Sequence, residues 1–166
     1  MNEVIFNQKS IFDIKVSDIN FLKRKCNSSN RGRFRICLHN NINHNTQEMV
    51  ICHKKKSYIH PHKHPHGISE SYHMIRGRMK IFFFDNKGNI FNQLELRTNS
   101  NTYPFLYRIS KPIYHLIYPL SDYTIYHEVT TGPFIKKKNV IFAKFAPSEN
   151  SSVKDISNFL RKYNIK

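Results

Sequence analysis

The sequence is short of acid: its 166 residues hold eleven aspartates and glutamates against 27 lysines and arginines, a formal net charge of +16. It has few cysteines and no long hydrophobic run. Cys26, Cys37 and Cys52 are odd in number and lack Cys-x-x-Cys spacing, which argues against a disulfide framework and a thiolate zinc site. They read as buried or half-buried thiols in a reducing compartment. No segment approaches the roughly 18 apolar residues of a membrane span, and Met1 to Gln8 lack the basic and then apolar pattern of a secretory leader. A cytoplasmic protein is therefore expected. There is no internal repeat or low-complexity linker, and the length suits one domain that buries its own core.

A charge of +16 invites a nucleic-acid reading, because clustered lysine and arginine neutralise phosphates and release counterions. The composition offers a plainer cause. The chain carries 18 lysines, 18 asparagines and 20 isoleucines, the bias of AT-rich coding. The triplets Lys54-Lys55-Lys56 and Lys136-Lys137-Lys138 fall where turns between strands are expected, so they read as solvated loops and nucleic acid is not an expected partner.

In chain order, a helix is expected from Ser17, capped by that serine, with Asp18 at the positive end of its dipole and Ile19, Leu22 and Cys26 on one face. The turn-forming residues Asn27 to Asn30 should end it. From Arg33 to about Phe145 the pattern is short strands with period two, including Ser57 to His60 and Val140 to Phe145. Asp85-Asn86-Lys87-Gly88, between two apolar runs, is the clearest hairpin. Such closely spaced short strands point to a closed or double-sheet antiparallel architecture. After Pro147 a helical stripe of Val153, Ile156, Phe159, Leu160 and Tyr163 is expected to pack on it.

The most informative stretch is His60-Pro61-His62-Lys63-His64-Pro65-His66, with Glu70 and Gly77 downstream; five of the ten histidines lie between His60 and His73. Histidines one residue apart on an extended segment point to one side and can chelate a single ion. A carboxylate from the next strand and an imidazole from a distant one, His115 after Lys111-Pro112-Ile113-Tyr114, would complete a site. Parity does not choose among the four histidines from His60 to His66, and His64-x-His66 is an alternative chelating pair. His73, of opposite parity to Glu70, should face away.

These residues resemble the metal-binding motifs of cupins, the second reduced by the missing glycine between Pro112 and His115. The chain more closely resembles the WbuC-type cupin-fold metalloproteins of bacterial O-antigen and surface-polysaccharide genes. The resemblance runs through Arg33-Phe34-Arg35, Leu38-His39, Gln47-Glu48-Met49, Ser57 to His64, Glu70, Arg76-Gly77, Phe84 to Gly88, His115, Glu128, Gly132-Pro133-Phe134 and Phe142 to Pro147. It favours His62 and His64 over the pair with His66, which remains the alternative ligand.

The resemblance implies an all-β cupin-type antiparallel barrel, a double-stranded β-helix or jelly roll. An N-terminal extension with a short helix would occupy residues 1–30, the barrel 31–148 and a C-terminal helix 149–166. It implies one divalent transition metal (zinc, iron, manganese, nickel or cobalt) on His62, His64, Glu70 and His115. The expected partner is a small sugar or sugar nucleotide, with Arg33, Arg35, His39, Tyr58 and Glu128 as candidate binding residues. A homodimer is left open. Cupins include isomerases, epimerases, oxygenases and non-catalytic binders, so the fold does not choose between a sugar-modifying enzyme and a metal-dependent binding or sensory module.

Overall fold

The structure, a computed structural model, describes residues 3–165. Alternation of apolar and polar residues builds two facing sheets. The first orders its strands β1 (Val4–Phe6), β2 (Arg33–Cys37), β3 (Thr46–Lys54), β10 (Tyr123–Thr131), β5 (Glu70–Arg76) and β8 (Leu106–Ile109). The second runs β11 (Ile141–Phe142), β4 (His62–Lys63), β9 (Tyr114–Pro119), β6 (Arg78–Phe84) and β7 (Ile90–Arg97). The sheets form the expected cupin-type jelly roll without closing into a continuous barrel. Among the described residues no helix is long and apolar enough to cross a membrane.

The inner faces supply most of the core. Met49, Ile51, Tyr72, Met74, Tyr107 and Tyr126 of the first sheet meet Met79, Ile81, Phe83 and Ile117 of the second. The outer face of β2 and β3 carries Phe34, Ile36, Val50 and Cys52 under helix α1 (Val16–Ser28), which contributes Leu22 and Cys26. All three cysteines are buried and free. At the other end of the chain, α3 (Val153–Lys162) is capped by Ser152, whose hydroxyl accepts from the Asp155 N–H at 3.1 Å, and it buries Phe159 against Phe84 and Tyr58.

Two turns fix how the chain passes between strands. Gly77 joins β5 of one sheet to β6 of the other at φ +86°, where a Cβ would stand 2.9 Å from the Tyr123 carbonyl oxygen. Both the sign of φ and the contact demand glycine. In the Asp85 to Gly88 hairpin, the Asp85 carboxylate accepts the N–H groups of Lys87 and Asn89, each at 2.8 Å, and joins β6 to β7.

Several local expectations are corrected. Lys15, not Ser17, is the N-cap of α1, and the Asp18 carboxylate accepts the Lys15 N–H at 2.8 Å. β1 pairs parallel to β2, so the architecture is not wholly antiparallel. Ser57 to His60 make no strand: Ser57 N–H closes a turn on Lys54 O, and ladder pairing begins only at His62, after Pro61 with its missing donor. Only Ile141–Phe142 of the segment Val140 to Phe145 pairs, and Lys136–Asn139 form one helical turn, α2. Val153 is 85% exposed, off the packed stripe of α3.

Candidate metal centre

Four side chains converge between the sheets. His62 on β4 lies directly opposite His115 on β9, His64 follows just beyond β4, and Glu70 opens β5. Each offers one ligand atom, and the four atoms lie within 4.8 Å of one another. Metal–ligand bonds of about 2.0–2.2 Å put opposed donors about 4.3 Å apart, so small adjustments would bring all four onto one ion.

The backbone has already chosen the imidazole tautomers. A carbonyl only accepts, so the Nδ1–H groups of His62, His64 and His115 donate to the carbonyls of His60 (3.0 Å), Asn139 (2.7 Å) and Ile113 (3.1 Å). In the neutral rings each Nε2 is then a bare lone pair, which is the metal-binding form, oriented by a partner on the far side of the ring. His64 Nε2, His115 Nε2 and Glu70 Oε2 are buried with no hydrogen-bond partner. Their nearest neighbours are each other: His64 Nε2 lies 3.3 Å and His115 Nε2 3.1 Å from the Glu70 carboxylate.

Electrostatics favour a cation here. Burial would raise the Glu70 carboxyl, but His115 and His64 outweigh it and hold it well below the usual range. At His64, burial is outweighed by Glu70 and the imidazole is raised. His62 goes the other way, down to about 3, through burial first and the neighbouring His115 second. A proton on His62 is therefore resisted, whereas one divalent ion would satisfy three lone pairs and a carboxylate together. The residues present fit a transition metal.

The other expected site residues are distributed around this centre. Glu128 on β10 faces it from the interior, and burial, then Glu70, push its carboxyl up to about 8. Arg35 is on the same inner face, with Met49 Sδ at 3.7 Å and no carboxylate partner within 4.0 Å among the described residues. Arg33 is engaged elsewhere, bonding Glu149 through both terminal nitrogens at 2.8 Å. His39 packs on Phe6 and accepts the Glu48 N–H at 3.0 Å. Tyr58 donates to Pro147 O at 2.7 Å and packs its ring edge-on to Phe159 of α3. His66 is exposed beyond the cluster, in the turn closed by Ile68 N–H on Pro65 O, and His73 is exposed on the outer face.

Some contributors carry no sequence signal. Asn139 orients His64 through its main-chain oxygen, and its own side chain is tied to Pro133 O and Ile135 N. Phe142 stacks on His60 with ring centres 4.8 Å apart, and His60 Nε2 bonds Ala143 O at 2.9 Å. The segment from Pro133 to Ala143 thus roofs the histidine run. Tyr107 and Thr130 bring further buried hydroxyls without partners, on strands that pair with β5.

A family model described as a domain of unknown function, DUF6016, matches residues 14–96, half of the chain, including His62, His64 and Glu70. The chain belongs to the DUF6016 family. His115, the fourth residue of this DUF6016 protein's cluster, lies beyond the matched span. No curated protein matches the sequence significantly.

Similarity to solved structures establishes the cupin fold of the DUF6016 protein. A Shewanella oneidensis protein from structural genomics superposes with a TM-score of 0.55 at 9% identity, covering 68% of this chain and 74% of that one. The capsular polysaccharide assembling protein CapF of Staphylococcus aureus gives 0.53 at 17% identity over 69% of this chain. The match spans about a third, 32%, of CapF. Oxalate oxidase in complex with the substrate analogue glycolate gives 0.51 at 11% identity, covering 84% and 69% of the two chains.

Proposed function

We propose that this DUF6016 protein binds one divalent transition metal through His62, His64, Glu70 and His115 and uses it to act on a small sugar or sugar nucleotide in surface-polysaccharide biosynthesis. The observation that carries the metal is the convergence of three backbone-oriented imidazoles and one buried carboxylate within 4.8 Å. Mixed nitrogen and oxygen ligation suits zinc, iron, manganese, nickel or cobalt. Bound there, the ion would supply Lewis acidity toward a carbonyl, hydroxyl or water oxygen. The chain's own contribution is to hold the three rings in register and shield them under the Pro133 to Ala143 segment, with Glu128 and Arg35 as the inward-facing polar groups.

The polysaccharide context rests on the likeness to WbuC-type proteins and on a fold shared with CapF. A cytoplasmic location belongs to the same reading. Metal analysis of protein purified without added metal tests it: one equivalent per chain is expected, retained in His66→Ala and lost in His62→Ala and His115→Ala. Full metal in all three variants would remove the site. The second reading is a non-catalytic, metal-dependent sugar-binding or sensory module, favoured by the burial of His64 Nε2 and His115 Nε2. Turnover of nucleotide-linked sugars by metal-loaded protein, lost in His115→Ala, separates the two.

A further inference from the structure

The second lysine triplet is not a free turn. Lys136, Lys137 and Lys138 form α2, which ends in Asn139, the residue whose carbonyl receives the Nδ1–H of His64 at 2.7 Å. Lys136 Nζ lies 5.7 Å from the centre of the Phe142 ring, and that ring stacks on His60 and stands 6.2 Å from His62. Lys63, between the two candidate ligands, sits 4.4 Å over Tyr114 and bonds only the neutral Asn86 side chain. Lys111 precedes His115 by four residues, and Lys144 follows Phe142 by two.

None of these six lysines has a carboxylate within 4.0 Å among the described residues. The connections that carry them, residues 55–69, 110–113 and 132–146, contain no aspartate or glutamate. The acids nearest the histidines, Glu70 and Glu128, face inward. A coding bias toward lysine accounts for the number of lysines but not for an unpaired set gathered on the segments that carry and flank the histidines. The other triplet shows the difference. Lys55 and Lys56 are tied through their N–H groups to Asp122 O and Pro119 O, at the far end of β9, about 13 Å from His115 at 3.3 Å per residue.

Resting on the metal reading above, we infer that the ligand reaching this centre is a small dianion, a phosphate or dicarboxylate group, drawn in by Lys63, Lys111, Lys136, Lys137, Lys138 and Lys144. Cations grouped near one site raise the local concentration of anions there. A neutral sugar would gain nothing from them, so the charged part of the ligand decides recognition.

Cobalt(II)-loaded protein, titrated with inorganic phosphate, malonate or glucose and followed by its visible absorption, tests this. Phosphate or malonate should perturb the bands, and the tighter of the two identifies the anionic group; glucose should not. The Lys136→Gln/Lys137→Gln/Lys138→Gln variant should weaken anion affinity about tenfold at low ionic strength, with the difference shrinking as salt is added. The Lys54→Gln/Lys55→Gln/Lys56→Gln variant should bind within about twofold of the parent. Equal weakening in both variants, no weakening in either, or a glucose response matching the anions would overturn the inference. If cobalt does not bind, the metal reading fails by itself. The anion arm is then read as the rise in Tm with phosphate in the same variants, where lack of a difference between the two triplets overturns it.

Discussion

Two groups of ionisable side chains, one partly exposed and one buried, balance their charges in different ways. Near the chain ends, Arg31 and Arg33 meet Glu3 and Glu149: Arg33 forks onto Glu149 at 2.8 Å, and Arg31 pairs with Glu3 and Glu149. Two positive charges face two negative ones and the group is neutral. Around Glu70, three imidazoles converge on a single carboxylate, and no lysine or arginine lies within 4.0 Å of it among the described residues. The first arrangement is balanced in charge by its own ion pairs, although Glu3 Oε2 and Arg33 Nε have no hydrogen-bond partner. The second gathers ligand atoms that could hold a cation, which is why it reads as a candidate site.

The largest test of that contrast is chelation. A metal present at about a thousand times its Kd adds about 4 kcal/mol of stability, or about 10 °C in Tm for a domain of this size. Scanning calorimetry with and without a chelator should show that loss in the parent and none in His115→Ala. An unchanged parent Tm would place the two clusters in the same class.

Removing one partner from the neutral cluster should cost less. Arg33→Met leaves Glu149 with only Arg31, at 3.2 Å and more exposed, and should destabilise by about 2 kcal/mol in urea unfolding. Metal stoichiometry should stay at that of the parent. Loss of metal in this variant would mean that Arg33 acts on the centre after all.

The smallest expected effect is in acid. Burial raises the Glu149 carboxyl, but Arg33 outweighs it and the net shift is downward; the same balance holds for Glu3, where Arg31 outweighs burial. Folded values below the ordinary one near 4.5 mean stability that is present above about pH 4.5 and lost as the pH falls through the folded values. Urea unfolding between about pH 5 and 3 should therefore show a shallower decline in Arg33→Met than in the parent. Parallel curves would mean that the pairing contributes nothing net.

Much of this was legible in the sequence because it depends on local periodicity. The alternation from Arg33 onward, the Asp85 to Gly88 hairpin and the opposite parity of Glu70 and His73 follow from the two-residue repeat of a strand. What failed depended on context. Ser17 has the chemistry of a cap, yet Asp18 bonding back to Lys15 starts the helix earlier. Val4–Phe6 is too short to announce a strand and forms one because β2 offers a parallel edge. Arg33 and Arg35 share a face and a residue type; that one is paired and the other has no carboxylate partner was decided by Glu149, 116 residues away in sequence from Arg33.

The sequence by itself determined the residue types of the centre and their spacing: two histidines one residue apart, a carboxylate six residues after His64, and a distant histidine after a proline. Parity could not choose among His60, His62, His64 and His66, since all four point the same way on an ideal strand. Tertiary structure made the selection, through pairing of β4 with β9 that sets His62 opposite His115, and through the carbonyls of His60, Ile113 and Asn139 that fix each ring. Main-chain oxygens carry no residue identity, so their part in the centre is invisible until the chain is folded.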